Sequence, residues 1–379
     1  MSEKRLPDPC MDCKDRKAIL TVRTRQLCSD CFVRFISIKV VRRMELYRLR
    51  DASHDRQPKL LLPLSCGVSS TVLLHILNGQ LERQAASGQG RVAYKLHVLL
   101  VDPSTISIVN PSCEERFAQA QQYFPRHTYT RVPFHAIFQY DEGIRETISR
   151  FAGSEFEDRD PMSDSERLDA FRAGIPTASS KNDIDNILLT RLIVACARSF
   201  GCEAVVWGDS DSRLAAKTLA NVAKGRGSSL TWQVCDGLSP WDIQFSFPLR
   251  DLYKSELQLY TVQVPSLADI IVPEQPMQEN QSNRNLSIDE LMKQYIETQG
   301  EKYPGVMANV VRTVAKLQQP SIPVGQVQCT LCGSCCESPP NSTSSGSTAD
   351  LPNDELTDRF CYGCSRSQPS AGIIPSYRR

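Results

Sequence analysis

The sequence predicts an α/β protein in which a Rossmann-like, doubly wound parallel sheet is flanked by a small cysteine-rich module at each end. Near-continuous apolar runs at residues 60–64 and 96–102 are typical of parallel strands that are buried on both faces. These runs alternate with segments of helical apolar spacing, of which residues 182–201 are the clearest, and this alternation favours a mostly parallel sheet covered by helices. Cysteine pairs near both ends of the chain predict the flanking modules.

The composition is that of an ordinary globular protein, with 379 residues, 41% hydrophobic and 23% charged. The net charge of +1 selects no polyanionic partner, but residues 1–50 carry a clear excess of Lys and Arg over Asp and Glu. The first residues lack an apolar signal region and no window is apolar enough to span a bilayer, so we expect a cytoplasmic protein without a membrane segment. In that compartment the 15 cysteines are expected to bind metal rather than form disulfides.

Four regions are predicted along the chain. Residues 1–50 form the first cysteine module with a basic helix, and residues 51–264 form the Rossmann-like domain. An acidic, aperiodic insertion at about 150–180 is predicted to be a loop. Residues 265–320 are helical, and residues 321–379 hold the second module, with a polar disordered loop inside it and a tail after Ser365.

The amino-terminal module contains two C-x-x-C pairs separated by fourteen residues, enough for a short hairpin that brings the pairs together. Four thiolates are a common donor set for a tetrahedral structural zinc ion. Redox-active pairs are the alternative, less favoured because so short a segment lacks a core without metal. The predicted zinc ligands are Cys10, Cys13, Cys28 and Cys31.

A helix is predicted from residue 32 to residue 50, with apolar side chains near one face and basic side chains largely off it. Basic residues beside a zinc module are typical of a contact with a phosphate backbone, although a solvated face gives the same pattern. The predicted nucleic-acid contacts are Arg34, Lys39, Arg42, Arg43 and Arg48.

The carboxyl-terminal module repeats the paired C-x-x-C arrangement with 28 residues between the pairs. A second structural zinc site is predicted, with Cys335 or Cys336 as alternatives to Cys332. The predicted ligands are Cys329, Cys332, Cys361 and Cys364.

Residues 65–70 join the first predicted strand of the domain to a helix. In an open α/β sheet such a turn is where a phosphate binds, because backbone N–H groups and the helix dipole converge there. The loop resembles the S-G-G-x-D-S pyrophosphate loop (PP-loop) of the ATP pyrophosphatases, which have the adenine nucleotide alpha hydrolase-like fold. Ser65, Gly67 and Ser70 match that loop, whereas Cys66 replaces a glycine and Ser69 replaces the aspartate. An ordinary strand-to-helix turn is the alternative.

A second turn, at residues 207–213, is similar to the T-G-H-N-x-D-D turn of the tRNA 2-thiolation branch of these enzymes. Gly208, Asp209 and Asp211 are its candidate site residues, and Leu-Ala-Asn follows at residues 219–221 as in that branch. Residues 247–260 are similar to its R-P-L segment with a later Glu and Tyr. The core cysteines that active members of the branch use as iron–sulfur ligands or persulfide carriers are missing here.

The altered loop, the altered turn and the missing cysteines together resemble the cytoplasmic tRNA 2-thiolation protein 2 family. That resemblance implies a non-catalytic subunit, paired with a catalytic thiolation subunit that takes sulfur from a thiocarboxylated ubiquitin-related modifier. The implied product is 2-thiouridine at the wobble position of Lys, Glu and Gln tRNAs. No iron–sulfur cluster is expected, and the altered loop leaves ATP binding doubtful.

Two alternatives stay open at this point. The chain is an active thiolase if Asp209 or Asp211 replaces the lost metal ligand and Cys66 serves as a nucleophile. It is a protein-binding zinc adaptor if it has no connection with tRNA.

Overall fold

The computed structural model describes residues 9–48, 57–87, 91–107, 113–274, 286–317, 327–336 and 360–369. The disordered loop predicted inside the second module and the end of the predicted tail lie outside these residues. The strands are β1 (Leu20–Val22), β2 (Arg25–Leu27), β3 (Lys59–Pro63), β4 (Lys95–Val101), β5 (Thr128–Val132), β6 (Ala204–Val206), β7 (Gly237–Leu238) and β8 (Gln244–Ser246).

Helices cover the sheet and extend beyond it. They are α1 (Ser29–Arg43), α2 (Val68–Ala85), α3 (Glu114–Tyr123), α4 (Ile137–Tyr140), α5 (Ile144–Ala152), α6 (Asp164–Ala173), α7 (Ala178–Ser199), α8 (Asp211–Ala223), α9 (Leu230–Gln233), α10 (Lys254–Gln263), α11 (Ile288–Lys302), α12 (Pro304–Val314) and α13 (Tyr362–Ser365). Within the part of the chain that the structure describes, none of these helices has the length and apolar character needed to cross a membrane.

The central sheet has the strand order β5-β4-β3-β6-β8-β7, and all neighbours are parallel except β7, which pairs antiparallel with β8. The predicted doubly wound sheet is therefore confirmed. From β3 the chain builds outward in one direction to β4 and β5, then returns to add β6 on the other side. This reversal opens a crevice at the carboxyl ends of β3 and β6.

The hydrophobic core is two-layered because successive side chains of a strand point to opposite faces. Leu61 of β3 packs in the layer that contains α7, while Leu60 and Leu62 pack in the layer with α1 and α2. All three leucines are fully buried, as expected for a central parallel strand covered on both faces.

The amino-terminal module joins this second layer. Its β1–β2 hairpin leads into α1, whose buried side chains Phe32, Ile36 and Val40 belong to the same core cluster as α2 and α10. The α-helix ends at Arg43 and a 3-10 turn at Glu45–Tyr47 follows, so the prediction of a helix up to residue 50 is too long.

The prediction of a loop at about 150–180 is wrong. Helix α6 lies inside this segment, with Ser163 and Glu166 forming a capping box at its start. Leu168 and Phe171 are buried in the core. Only these two large apolar side chains anchor the helix. The hydrophobic periodicity of the segment is therefore weak, and its many acidic residues are typical of a loop. The S-x-x-E capping signature was the available signal.

The first residues of the predicted tail, directly after Ser365, contact the domain. Ser367 is fully buried, and Gln368 donates a hydrogen bond to the carbonyl oxygen of Phe151 at 3.2 Å. Residues 366–369 therefore pack against the domain. Their composition is polar, so the sequence pattern contains no sign of this packing.

Candidate functional site

A cavity of about 660 Å³ lies at the crevice between β3 and β6. The loop after β3 and the turn after β6 both line it, so the structure brings together the two segments that the sequence analysis singled out. Of the predicted loop and turn residues, those that line the cavity are Ser65, Gly67, Ser69, Ser70, Gly208 and Asp209.

Cys66 adopts a backbone conformation that suits glycine. Its φ angle is +55°, in the left-handed region, which costs a residue with a Cβ roughly 1–2 kcal/mol. The loop is held by a contact of 3.1 Å between the hydroxyl oxygens of Ser65 and Ser70, and Val272 donates to the carbonyl oxygen of Cys66 at 2.8 Å. Residue 66 thus keeps the backbone conformation that suits a glycine, although it is a cysteine in this chain.

The Cys66 thiol is unsuited to nucleophilic attack. The side chain is fully buried and is not among the residues lining the cavity. The neighbouring Cys113 thiol and burial both raise the pKa of Cys66 well above its usual range. Since the thiolate is the reactive form of cysteine, this thiol is unreactive at neutral pH.

Gly208 closes the second turn tightly against the first loop. A Cβ atom at this position would lie 2.8 Å from the Cα of Ser70, closer than real Cβ contacts allow. The backbones of the two segments can approach this closely only because residue 208 has no side chain.

The two aspartates of the turn differ in their surroundings. Asp209 lines the cavity, but its Oδ2 accepts a hydrogen bond from Lys217 Nζ at 2.5 Å. Burial raises the pKa of Asp209, while Lys217 and Arg213 outweigh that effect and lower it. The carboxylate is thus ionised and already compensated by a lysine rather than open to a cation.

Asp211 is buried and does not line the cavity. Its Oδ1 accepts a hydrogen bond from the Ser212 hydroxyl at 2.9 Å, and its Oδ2 has no partner among the described residues. Burial raises the pKa of Asp211 to about 7. A carboxyl group that is partly protonated at neutral pH is a poor ligand for a hard cation such as Mg²⁺.

Both predicted four-cysteine groups are assembled. In each, the four Sγ atoms lie within 4.8 Å of one another, and single contacts are 3.9 Å between Cys13 and Cys28 and 3.5 Å between Cys332 and Cys361. A tetrahedral zinc ion with Zn–S bonds of about 2.3 Å places its sulfur atoms about 3.8 Å apart. Each group could therefore hold one such ion, whereas the thiolates of a four-iron cluster, each on a different iron, lie further apart.

The second four-cysteine group contains Cys332 and not Cys335 or Cys336, so the replacement considered from the sequence does not occur. Cys332 also lines the cavity, which places this centre beside the crevice. Arg191 of α7 donates to the carbonyl oxygens of Thr330 and Leu331 at 2.6 and 3.0 Å. These hydrogen bonds connect the turn between Cys329 and Cys332 to the domain.

The five predicted nucleic-acid contacts lie on or just after α1, but their charges are not equally free. Arg34 and Arg42 are exposed and form no ion pair with any described residue. Arg43 pairs with Asp251 at 2.5 Å and Arg48 pairs with Glu45 at 2.6 Å. Lys39 is half-buried, with its ammonium 4.6 Å from the centre of the Phe35 ring.

Four charged side chains that line the cavity could not be found from the sequence, and three of them, all but Asp289, are buried: Asp183, Lys224, Arg226 and Asp289. They come from three separate segments of the chain. Their contacts depend on tertiary packing, and no motif or spacing could have found them.

Comparisons with known proteins identify a family for this chain. A family model described as cytoplasmic tRNA 2-thiolation protein 2 matches residues 287–359. Relatives named cytoplasmic tRNA 2-thiolation protein 2 from Neosartorya fischeri and Aspergillus clavatus are 54% and 53% identical over 370 residues. In both cases the match covers 97% of this chain and 99% of the relative.

A solved structure shares the fold. The U34-tRNA thiolase NcsA from Methanococcus maripaludis, determined with its [4Fe-4S] cluster, matches with a TM-score of 0.54. The match covers 83% of this chain and 89% of the thiolase chain, with 13% sequence identity. At this identity the likeness establishes that the two chains share a fold and no more.

Proposed function

Since this chain belongs to the cytoplasmic tRNA 2-thiolation protein 2 family, we propose that it is the non-catalytic subunit of a heterodimeric tRNA sulfurtransferase. In this proposal it works in the cytoplasm on the wobble uridine of Lys, Glu and Gln tRNAs. Its catalytic partner takes sulfur from a thiocarboxylated ubiquitin-related modifier, and this chain supports tRNA binding and the partner.

The proposal rests on the loop after β3 and the turn after β6, whose side chains are not available for catalysis. Cys66 is buried with a raised pKa, Asp209 is paired with Lys217, and Asp211 lies outside the cavity lining. Adenylation of uridine needs a loop that holds pyrophosphate with a cation, and sulfur transfer needs a thiolate or an open metal site. The described residues of the cavity supply neither in a free form.

The two four-cysteine groups act as structural zinc sites in this proposal. Each group offers four thiolates, which fill all four positions of a tetrahedral zinc ion. Neither centre therefore has an open position for a substrate. Cys332, beside the cavity, thus belongs to a closed set and is not a sulfur carrier.

The basic face of α1 supplies the tRNA contact. Arg34 and Arg42 are its uncompensated members among the described residues, and they would neutralise backbone phosphates without reading bases. Positioning of this kind is a task that a subunit without chemistry can perform for its partner.

The test is reconstitution of 2-thiouridine formation on a Glu tRNA with ATP and a sulfur donor. This chain alone, the catalytic subunit alone and the two together are compared. We expect product only, or much more of it, with both subunits. Product from this chain alone would contradict the proposal.

A second candidate function is that of an active thiolase with a variant loop. The size of the cavity favours this candidate. A volume of about 660 Å³ is large enough for a nucleotide-sized ligand. Micromolar binding of ATP by the isolated chain would support this candidate. We expect no such binding, because Cys66 and Ser69 replace two residues of the pyrophosphate loop and Asp209 is already paired with Lys217.

A further inference from the structure

The carboxyl-terminal four-cysteine centre is deeply buried. The exposed fractions of its four cysteines range from 0% at Cys364 to 8% at Cys361. One divalent ion bound by four thiolates carries a net charge of about −2, and burying such a charge is costly unless a cation accompanies it. The amino-terminal centre differs, since Cys13 and Cys31 are partly exposed and water can solvate them.

Arg226 supplies that cation. Its Nη1 donates to Cys364 Sγ at 3.4 Å and lies 3.8 Å from Cys361 Sγ, and the residue is 3% exposed. The close fit requires a glycine, because a Cβ at Gly363 would lie 2.7 Å from the Cγ of Arg226. The metal-binding turn is thus shaped around the guanidinium.

The other side of the same guanidinium is held by a carboxylate. Arg226 Nε and Nη2 donate to Oδ2 of Asp183 at 2.8 and 2.5 Å. Lys224 pairs with Asp183 at 2.9 Å and with Asp289 at 2.9 Å, and Asp289 belongs to α11. A continuous chain of contacts therefore runs from the thiolates to α7 and α11.

The charged side chains of this chain of contacts line the cavity beside one of the metal ligands. They are Asp183, Lys224, Arg226 and Asp289, and the ligand is Cys332. These side chains of the cavity lining are therefore connected to the four-cysteine centre through Arg226. If the metal left, the sulfur atoms of Cys361 and Cys364 would no longer be fixed by the ion, and Arg226 would lose its contacts on that side.

We propose that Arg226 is the positioning residue of the carboxyl-terminal four-cysteine centre. It compensates the charge of the metal tetrathiolate and, through Asp183, couples retention of the metal to the wall of the cavity. The proposal rests on the four cysteines holding a single divalent ion, as in the proposed function. The metal content of the unmodified protein tests that premise separately.

The experiment measures zinc release from the full-length protein by a chelator, followed with a colorimetric zinc indicator. The unmodified protein is expected to hold two zinc ions per chain, one in each four-cysteine group. Removing a group that hydrogen-bonds to a metal ligand usually lowers metal affinity about 10- to 100-fold, so in Arg226→Met one of the two ions should leave faster by about that factor. The other, at the amino-terminal centre, should keep its release rate and serve as an internal control.

Two further variants separate charge from folding. Arg226→Lys keeps the charge but cannot hold Asp183 and Cys364 at the same time, so we expect an intermediate release rate. Arg126→Met removes an exposed arginine in the loop before β5 and should release both ions at the unmodified rate. Should Arg226→Met fail to fold, Arg226→Lys alone decides, since unchanged release from it would overturn the proposal.

The coupling to the cavity has its own readout. Hydrogen exchange of the α11 amides in the unmodified protein is compared before and after removal of both zinc ions, and with that of zinc-loaded Arg226→Met. We expect faster exchange over Ile288–Lys302 in the zinc-depleted protein and in Arg226→Met. Equal release rates for Arg226→Met and the unmodified protein would overturn the proposal. Hydrogen exchange of α11 that is the same with and without zinc would also overturn it.

Discussion

Arg23, in the turn between β1 and β2, donates hydrogen bonds from Nε and Nη2 to the two carboxylate oxygens of Glu256 on α10, at 2.7 and 2.9 Å. It also donates to the carbonyl oxygen of Asp251 at 2.8 Å, and its guanidinium lies 4.4 Å from the centre of the Tyr253 ring. These contacts join the amino-terminal metal module to the segment that resembles the R-P-L region. The module is therefore part of the domain and not an independent appendage.

Replacing Arg23 by Met should lower the free energy of unfolding by about 2 kcal/mol, because the buried carboxylate of Glu256 would lose a bidentate charged partner. Arg25→Met is the matched control, since the Arg25–Asp12 pair is more exposed and should contribute less than about 1 kcal/mol. Denaturant unfolding of the zinc-loaded proteins measures both. Equal losses would mean that the Arg23 contact is not the anchor of the module.

Gly208→Ala should destabilise the protein by about 1–3 kcal/mol, because the new methyl group meets the backbone of Ser70 and neither segment can move without disturbing a strand end. Gly227→Ala is the control, since a Cβ there meets no atom within 4 Å. Thermal unfolding of the two variants provides the comparison. A Gly208→Ala protein as stable as the control would contradict the close approach of the two segments.

Asp211 should make stability depend on pH. Its pKa rises from an ordinary 3.8 to about 7 in the folded protein, so between these values the folded state holds a proton that the unfolded chain has released. The free energy of unfolding should thus fall as pH rises through this window, by up to about 1.4 kcal/mol per pH unit.

Asp211→Asn removes this titration while keeping the shape of the side chain. The difference in unfolding free energy between the variant and the unmodified protein isolates Asp211 from other titrating groups. We expect the variant to gain relative stability as pH rises from the ordinary pKa of 3.8 to the folded pKa of about 7. A difference that stays constant over this range would show that Asp211 titrates normally.

Reversing the free charges of α1 should weaken tRNA binding. Arg34→Glu with Arg42→Glu should reduce the slope of log affinity against log salt by about 1 for each phosphate that is no longer neutralised. Lys95→Glu with Arg126→Glu makes the same charge change at two other exposed positions and should leave the slope unchanged. Filter binding of a Glu tRNA at several salt concentrations measures this, and equal slopes for both double variants would remove α1 from the interface.

Local and strongly patterned features were predictable from the sequence. The buried strands β3 and β4 are continuous apolar runs, and each four-cysteine group is built from two C-x-x-C pairs. The meeting of the loop at residue 67 with the turn at residue 208 follows from the rule that parallel strands end at the same edge of a sheet.

Features that depend on packing could not be predicted. Asp209 looked like a free metal ligand, and its pairing with Lys217 required the turn and α8 to be placed in space. Asp183, Arg226 and Cys364 are far apart in sequence and meet only in the folded chain. Helix α6 was missed because its two buried side chains are too few to give a clear period.

If this chain contributes no chemistry to 2-thiouridine formation, altering its loop within the assembled heterodimer should leave the reaction unchanged. Ser69→Ala removes a hydroxyl group that lines the cavity and leaves the contact between Ser65 and Ser70 in place. We expect the altered heterodimer to form 2-thiouridine on Glu tRNA at the unmodified rate, and a change at the aligned loop position of the catalytic subunit to abolish it. Loss of product when only this chain is altered would contradict the account and identify its loop as an active site.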